Sequence, residues 1–316
     1  MHRFGLLDST MRQYYYSDKG FRECGSSLNA AWIDIITPDA DDVRYLIKEE
    51  NVPAILLEYL EDKDERPRVE RNGEWLMTIV RIPIQNNNGV MPYATVPMGI
   101  ISRASDKIIT VCYHENDLTK IFAIHTCQKN VQINNISDFT LRMFYTTANR
   151  YLDFLRDMYN YVVGSEKSLS NSVANDNLKQ LMNLQKSLVF FNTSLKGDVL
   201  VLERIQKIYE QEVDEDFAED VDIEMRQADT TVGIYSDILK ATMDSYASII
   251  SNNLNNVMKR MSGLSIILIV PTFVASLYGM NVNILLTSKY SFWIVLGIAA
   301  VLTTIAFVCL RRLKWI

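Results

Sequence analysis

Two long apolar runs near the C-terminus constrain this chain more than any other feature. Met261–Leu277 and Phe292–Leu310 contain no Asp, Glu, Lys or Arg, and each is about long enough to cross a hydrocarbon core of roughly 30 Å. A buried helical hairpin in a soluble protein is the alternative interpretation. Because two uncharged runs of this length side by side are rare outside membranes, the sequence predicts two transmembrane helices.

The basic residues around these runs predict their orientation. They precede the first run and follow the second, at Lys259, Arg260, Arg311, Arg312 and Lys314, whereas the intervening loop has a single lysine. Cytoplasmic segments next to membrane spans are enriched in Lys and Arg. We therefore expect both termini and the large N-terminal region in the cytoplasm, and we expect no cleavable secretory signal because the N-terminus lacks an apolar segment.

The composition and motifs of the rest of the chain argue against several classes of function. Before about residue 260 the 316-residue chain has the charged character of a soluble protein, and its net charge of −6 argues against a nucleic-acid partner. The four cysteines form no CxxC pair and show no metal-ligand spacing, which suits a reducing compartment. No phosphate loop, HExxH or GxSxG motif is present, so we expect no enzyme activity.

The first apolar run carries its polar residues on one helical face. Steps of four and three residues alternately keep to a single face, and from Asp244 they visit Asp244, Ser248, Ser251, Asn255, Met258, Ser262, Ser265, Ile269, Thr272 and Ser276. We call these ten residues the polar face. Within the run, every side chain with a hydroxyl or amide belongs to it.

Two interpretations of the polar face compete. Small hydroxylated residues on one face are common in helix–helix packing in membranes. Alternatively the face lines water, which its continuation to Asn255 and Asp244 favours. In that case Met258 and Ile269 are apolar constrictions of the kind that gate a pore by dewetting.

A water-lined face requires an assembly of several chains. One helix cannot surround a pore, so several copies would each contribute their first span, and Asp244 would form a ring of carboxylates that favours cations. The second span has little polarity beyond Thr303 and Thr304. We expect it to form a lipid-facing outer layer.

Two short motifs resemble the CorA family of magnesium channels and transporters. They are Tyr278-Gly-Met-Asn281, which closes the first of two C-terminal spans, and Asn255-NVMKRM-Ser262 at the inner membrane boundary. The resemblance implies a homopentamer with a cytoplasmic α/β domain and a long stalk helix that continues into the pore. It also implies that Gly279, Met280 and Asn281 form a selectivity filter, in which Asn281 contacts hydrated Mg²⁺, an ion that gives up water reluctantly.

Two features of the sequence allow other interpretations of the Gly279–Asn281 motif and of the transported ion. A glycine followed by asparagine is also an ordinary helix stop. The loop after the motif has no acidic residue, whereas members of the family commonly have acids there. Zn²⁺, Co²⁺ or Ni²⁺ therefore remains an alternative cargo to Mg²⁺, and a membrane-anchored sensor without a pore is the alternative from another functional class.

The N-terminal region has the pattern of a mixed sheet with flanking helices. Apolar segments at Trp32–Ile36, Trp75–Val80 and Lys107–Val111 predict strands, and a helical pattern occupies roughly Asp41–Glu61. From about Asp138 the pattern becomes helical. There Leu181, Leu188, Leu195 and Leu202 recur every seven residues, with Leu184, Phe191 and Ile205 on a companion seam, which predicts helix–helix packing.

An acidic cluster precedes the membrane spans. Nine acids and no basic residue lie between Glu210 and Glu224, at the start of a helix predicted to run from about Ala218 for on the order of 80–90 Å. A solvated turn with acids at a helix N-terminus is one interpretation. Regulation is the other, since in the family divalent ions bridge acids of neighbouring subunits; candidate residues are Glu219, Asp220, Glu58 and Glu61.

The sequence thus predicts an α/β cytoplasmic domain with a mixed sheet, long stalk helices and two C-terminal transmembrane helices. The expected divisions are residues 1–135 (α/β), 136–217 (helical, coiled-coil-like), 218–281 (stalk and pore helix, with its span at 261–278), 282–291 (external loop), 292–310 (second span) and 311–316 (basic tail). We expect a homopentamer in a bacterial inner membrane that takes up Mg²⁺ and is regulated by intracellular divalent ions, with lipid and the ions as its other partners.

Overall fold

The structure is a computed structural model that describes residues 11–27, 30–86, 90–103, 107–133, 135–167, 174–209, 212–280 and 290–315. The chain divides into two compact units, Met1–Ala241 and Thr242–Ile316. All four cysteines are free.

A seven-stranded mixed sheet forms the centre of the first unit. Its strands are β1 (Met11–Ser17), β2 (Phe21–Cys24), β3 (Trp32–Ile36), β4 (Arg68–Asn72), β5 (Trp75–Gln85), β6 (Tyr93–Arg103) and β7 (Ile108–Cys112). They lie in the order β2-β1-β3-β7-β6-β5-β4. The β3–β7 pair is parallel and the other pairs are antiparallel, which confirms the predicted mixed sheet.

The helical pattern between the first two predicted strands forms two helices instead of one. They are α1 (Ala40–Lys48), with a capping box at Asp39, and α2 (Ala54–Glu61). Between them Asn51 has a left-handed φ of 58°, and Pro53 has no backbone N–H to continue a helix. Both helices bury leucines against one face of the sheet, where Leu46, Leu56 and Leu60 join β-strand residues in the core.

An aromatic cluster covers the other face of the sheet near β3. Trp32 packs edge-on against Phe122 of α3 (Leu118–Gln128) and Phe139 of α4 (Ile136–Lys167), with ring centroids 5.5 and 5.4 Å apart. Phe21 of β2 lies 5.1 Å from the Trp32 ring. These rings exclude water from the face of β3 that points toward the helices.

A buried acid lies beside this aromatic cluster. The Trp32 indole donates a hydrogen bond of 2.8 Å to the Thr110 hydroxyl, which in turn donates one of 2.6 Å to Oδ1 of Asp34. Asp34 is 1% exposed. Burial raises the pKa of its carboxyl to about 6, although the hydrogen bond from Thr110 opposes that shift.

The leucine seam lies on α5 (Ala174–Ile208) and is buried as predicted. Its helix contacts β4, β5 and β6 as well as α4, so the seam packs against the sheet in addition to another helix. Buried polar groups fix this packing: Asp198 accepts a 2.9 Å hydrogen bond from the Arg81 backbone, and the Tyr151 hydroxyl donates to the Arg81 carbonyl. Burial raises the pKa of Asp198 well above its usual range.

Two helices complete the chain. The boundary between the units falls inside α6 (Glu215–Tyr278), and α7 (Ser291–Arg312) follows in the second unit. The end of α7 is a Schellman motif in which Trp315 N–H donates to the Leu310 carbonyl and Lys314 N–H to the Arg311 carbonyl. The observed mixed-sheet domain, long helix and C-terminal apolar helix confirm the predicted fold class.

Candidate functional site

The second unit contains two helices that are long and apolar enough to cross a membrane. They are the C-terminal part of α6 and nearly all of α7. Most large apolar side chains on them are exposed in the single chain, and among the described residues of these two segments only Val274 and Leu310 have buried large apolar side chains, at 7% and 6% exposure. Such surfaces require lipid or other protein chains to cover them.

One face of α6 is directed toward α7. Gly263 and Val274 are buried there, and Ile267, Val270 and Pro271 are half-buried. On α7 the less exposed residues recur at Val295, Ala299, Thr303, Ala306 and Leu310. This spacing of three and four residues marks a single helical face on each partner.

The polar face lies on the opposite side of α6. At about 100° per residue, its residues point away from those that face α7. All ten of them, Asp244, Ser248, Ser251, Asn255, Met258, Ser262, Ser265, Ile269, Thr272 and Ser276, are exposed in the single chain. In the second unit, therefore, α7 leaves the polar face uncovered.

Three hydroxyls of the polar face bond back to their own helix. Ser248 donates to the Asp244 carbonyl at 2.9 Å, Ser265 to the Met261 carbonyl at 3.0 Å, and Thr272 to the Leu268 carbonyl at 2.8 Å. Each bond satisfies the only hydrogen of the hydroxyl within one turn. The oxygen lone pairs remain directed at whatever borders the face.

Two apolar side chains interrupt the polar face. Met258 is 60% exposed and Ile269 is 62% exposed. They are eleven positions apart and share the face with the hydroxyls, so they project in the same direction as Ser262 and Ser265. The prediction that they constrict a pore remains a prediction, because it depends on neighbouring copies.

The segment at the C-terminal end of α6 is described up to Met280. The helix ends at Tyr278, and the Gly279 N–H donates to the carbonyls of Ala275 (3.0 Å) and Ser276 (3.2 Å). Gly279 does not have the left-handed φ that favours glycine. An added Cβ would meet only these carbonyls, at 3.5 and 3.6 Å. Asn281 lies outside the described residues.

The acidic candidates lie on the surface of the first unit. Glu219 and Asp220 on α6, and Glu58 and Glu61 on α2, are all exposed. Among the described residues, no group of three or more His, Cys, Asp or Glu side chains is placed to hold a metal ion. The predicted bridging concerns neighbouring subunits and therefore remains a prediction; Glu210 lies outside the described residues.

The side of α7 that faces α6 was not identified from the sequence. A groove of about 510 Å³ separates the two helices and is lined by Ile267, Pro271, Ala299, Thr303, Thr304 and Phe307, among others. Thr303 is half-buried and Thr304 is exposed in the single chain, so α6 covers one side of the span that is predicted to form the lipid-facing layer. The signal in the sequence was the i, i+4 spacing of Thr303 from Ala299, which places both on one face.

Comparisons with known proteins agree over nearly the whole chain. Residues 28–312 match the family model described as CorA-like Mg²⁺ transporter protein. The cobalt/magnesium transport protein CorA of Methanocaldococcus jannaschii is 25% identical over 296 residues, which cover 90% of this chain and 91% of the relative.

Solved structures show the same fold. The complete structure of the CorA magnesium transporter from Methanocaldococcus jannaschii covers 98% of this chain and 100% of its own, with a TM-score of 0.80 at 20% identity. The cytoplasmic domain of ZntB from Vibrio parahaemolyticus covers 77% of this chain and 98% of its own, with a TM-score of 0.60 at 10% identity.

Proposed function

The chain belongs to the CorA-like Mg²⁺ transporter protein family, and from that premise we propose that it is a channel that carries Mg²⁺ into the cytoplasm down the electrochemical gradient. The observation that supports this proposal most directly is the exposed polar face of α6. It presents hydroxyl, amide and carboxylate groups on the side turned away from α7. A membrane helix with a polar side requires either water or a polar partner along that side.

The pore is an assembly of identical chains. Each copy contributes the polar face of α6 to a central lumen and α7 to the layer around it, in the homopentamer that the family resemblance implies. Asp244 then forms a ring of carboxylates at the cytoplasmic end of the lumen, where it attracts cations. Asn255 and Thr272 offer neutral oxygen atoms further along, and Met258 and Ile269 are the dewetting constrictions.

Selection occurs at the outer mouth, at Gly279, Met280 and Asn281. Mg²⁺ holds its first water shell tightly, so a ring of amide and carbonyl oxygens is suited to accept hydrogen bonds from that shell without removing it. A Cβ at Gly279 would make only ordinary van der Waals contacts in the single chain, so any need for glycine there arises from neighbouring copies or from the ion's water.

Orientation and regulation follow from charge. Basic residues next to both spans, including Arg260 and Arg311, support a cytoplasmic location of both termini in a protein of the bacterial inner membrane. Intracellular divalent ions bridge Glu219 or Asp220 of one subunit to Glu58 or Glu61 of the next and hold the pore closed. When these ions dissociate, like charges repel and bias the stalks toward opening.

Zinc transport is a second candidate. The loop after Asn281 carries no acidic residue, and the cytoplasmic domain of ZntB shares the fold of the first unit. A loop without acids gives less electrostatic capture of a hydrated Mg²⁺ ion at the outer mouth.

Ion flux into proteoliposomes tests the proposal. We expect purified protein to admit Mg²⁺, and we expect Asn281→Ala to abolish that entry while the oligomer persists in size-exclusion chromatography with light scattering. Co²⁺ and Zn²⁺ are measured in parallel. Normal Mg²⁺ flux in the variant would contradict the filter assignment, Zn²⁺ entry without Mg²⁺ would favour the second candidate, and no flux from an intact oligomer would support a sensor.

A further inference from the structure

Pro271 leaves one backbone carbonyl of α6 without its helical donor. In an α-helix the carbonyl of Ile267 would accept a hydrogen bond from the N–H of residue 271, and proline has none. This carbonyl lies in the middle of a segment predicted to cross the membrane. An unsatisfied carbonyl in the hydrocarbon region is costly, and neighbouring helices commonly supply the missing donor.

The groove between α6 and α7 restricts which groups can supply that donor. Ile267 and Pro271 both line it, so the freed carbonyl borders the side of α6 that faces α7. Among the described residues that line the groove, Thr303 and Thr304 bring the only side-chain hydroxyls; the others are aliphatic, proline or phenylalanine. Thr303 is half-buried and lies on the same helical face as Ala299 and Leu310, whereas Thr304 is exposed.

The Thr303 hydroxyl has a different acceptor in this structure. It donates to the Ala299 carbonyl of its own helix at 2.7 Å. A hydroxyl carries a single hydrogen, so this bond and a bond to Ile267 are alternatives. In this structure a groove of about 510 Å³ lies between α7 and the segment of α6 around Pro271. A proline inside a helix is a point at which the helix axis bends, because its ring displaces the carbonyl four residues earlier.

We propose that Thr303 is a positioning residue for ion conduction, whose hydroxyl passes from the Ala299 carbonyl to the freed Ile267 carbonyl when α7 closes on the bend at Pro271. Pro271 lies in sequence between Ile269 and Thr272, which both belong to the polar face. A change in the bend there moves Thr272 and the outer end of α6 relative to Ile269. Through this exchange the shape of the lumen depends on the position of α7, although α7 does not line the lumen. This inference rests on the proposed function.

A double-mutant cycle tests the exchange. Pro271→Ala restores an N–H to the Ile267 carbonyl and removes the need for Thr303. We expect Thr303→Val to lower Mg²⁺ flux about threefold to tenfold in the native Pro271 background, the range for hydrogen bonds between membrane helices. In the Pro271→Ala background we expect little or no change. Thr303→Ser keeps the hydroxyl and should restore flux, and Thr304→Val is the matched control with little effect in either background.

The same variants are also compared by thermal unfolding of the purified oligomer in lipid nanodiscs. This readout does not depend on transport, so it decides the inference even where wild-type protein passes no ion, a result that would count against the proposed function alone. We expect the Thr303→Val and Pro271→Ala shifts in midpoint to be non-additive. Equal effects of Thr303→Val in both backgrounds, no effect in either, or coupling at Thr304 instead would overturn the proposal.

Discussion

The two units of this chain differ in how far a single copy buries its own apolar side chains. The first unit buries Trp32, Phe139, Leu195 and many other apolar side chains at or near 0% exposure and satisfies most buried polar groups internally. In the second unit, side chains such as Ile269 and Phe292 remain 60–70% exposed. The difference shows that the first unit has its own core, whereas the apolar side chains of the second unit require lipid or other protein chains to cover them.

The largest effect that this comparison predicts is a loss of stability confined to the first unit. Trp32→Ala removes a fully buried ring from the aromatic cluster and should lower the free energy of unfolding of that unit by about 3–5 kcal/mol. Hydrogen exchange of the β7 amides in the full-length protein measures it. Ile269→Ala is the control, and its expected effect on the same amides is below about 0.5 kcal/mol. Similar losses in both variants would contradict the distinction between the units.

The next effect depends on pH and concerns Asp34. Its pKa is raised from 3.8 to about 6 in the folded state, so the folded state binds this proton more tightly than the unfolded state. Stability therefore falls as the pH rises from about 4 to about 6 and then stays lower. Asp34→Asn, which keeps an acceptor for Thr110, should stabilise the protein by about 3 kcal/mol above pH 6 and much less at pH 4.

Denaturant unfolding across this pH range checks the prediction for Asp34. Asp153→Asn, an exposed acid that pairs with Arg156, is the control and should change stability little at any pH. A gain for Asp34→Asn of the same size at pH 4 and pH 8 would show that burial does not raise the pKa of Asp34.

The smallest expected effect concerns two asparagines on opposite sides of α6. Asn255 belongs to the polar face, whereas Asn253 points toward the opposite side of the helix, and both are exposed in the single chain. Asn255→Ala should lower Mg²⁺ flux about threefold to tenfold, the range expected for the loss of one polar contact. Asn253→Ala should leave flux within error. Equal losses would remove the distinction between the faces on which the pore assignment depends.

How well each strand could be predicted depended on its local pattern of apolar and polar residues. β3, β5 and β7 were recognised because each contains a short, mostly apolar segment rich in Ile and Val. β1, β2 and β4 carry charged and polar residues such as Arg12, Glu23 and Arg71, which mask the strand period of an edge region. β6 contains Pro97 and Gly99, residues that argue against a strand unless neighbouring strands on both sides enforce it.

The candidate site was predictable to the extent that it depends on one helix. The three-to-four spacing from Asp244 to Ser276 defines the polar face without knowledge of any neighbour, and the structure shows only that α7 leaves this face uncovered. The groove between Pro271 and Thr303 was not predictable, because it requires the relative rotation of two helices. The proposed pairing of Asp220 with Glu61 depends on contacts between subunits, which the periodicity of a single sequence does not encode.

The inward hydrogen bonds of Ser248, Ser265 and Thr272 have a consequence for the sign of the ion. Waters around a cation turn their hydrogens outward, whereas waters around an anion turn their oxygens outward. At these three positions the hydroxyl hydrogen is already engaged with the backbone of the helix, so the hydroxyl can accept a hydrogen bond but has none to donate. In the proposed lumen, these three neutral positions would thus favour hydrated cations over hydrated anions through the orientation of their water, without any charged side chain.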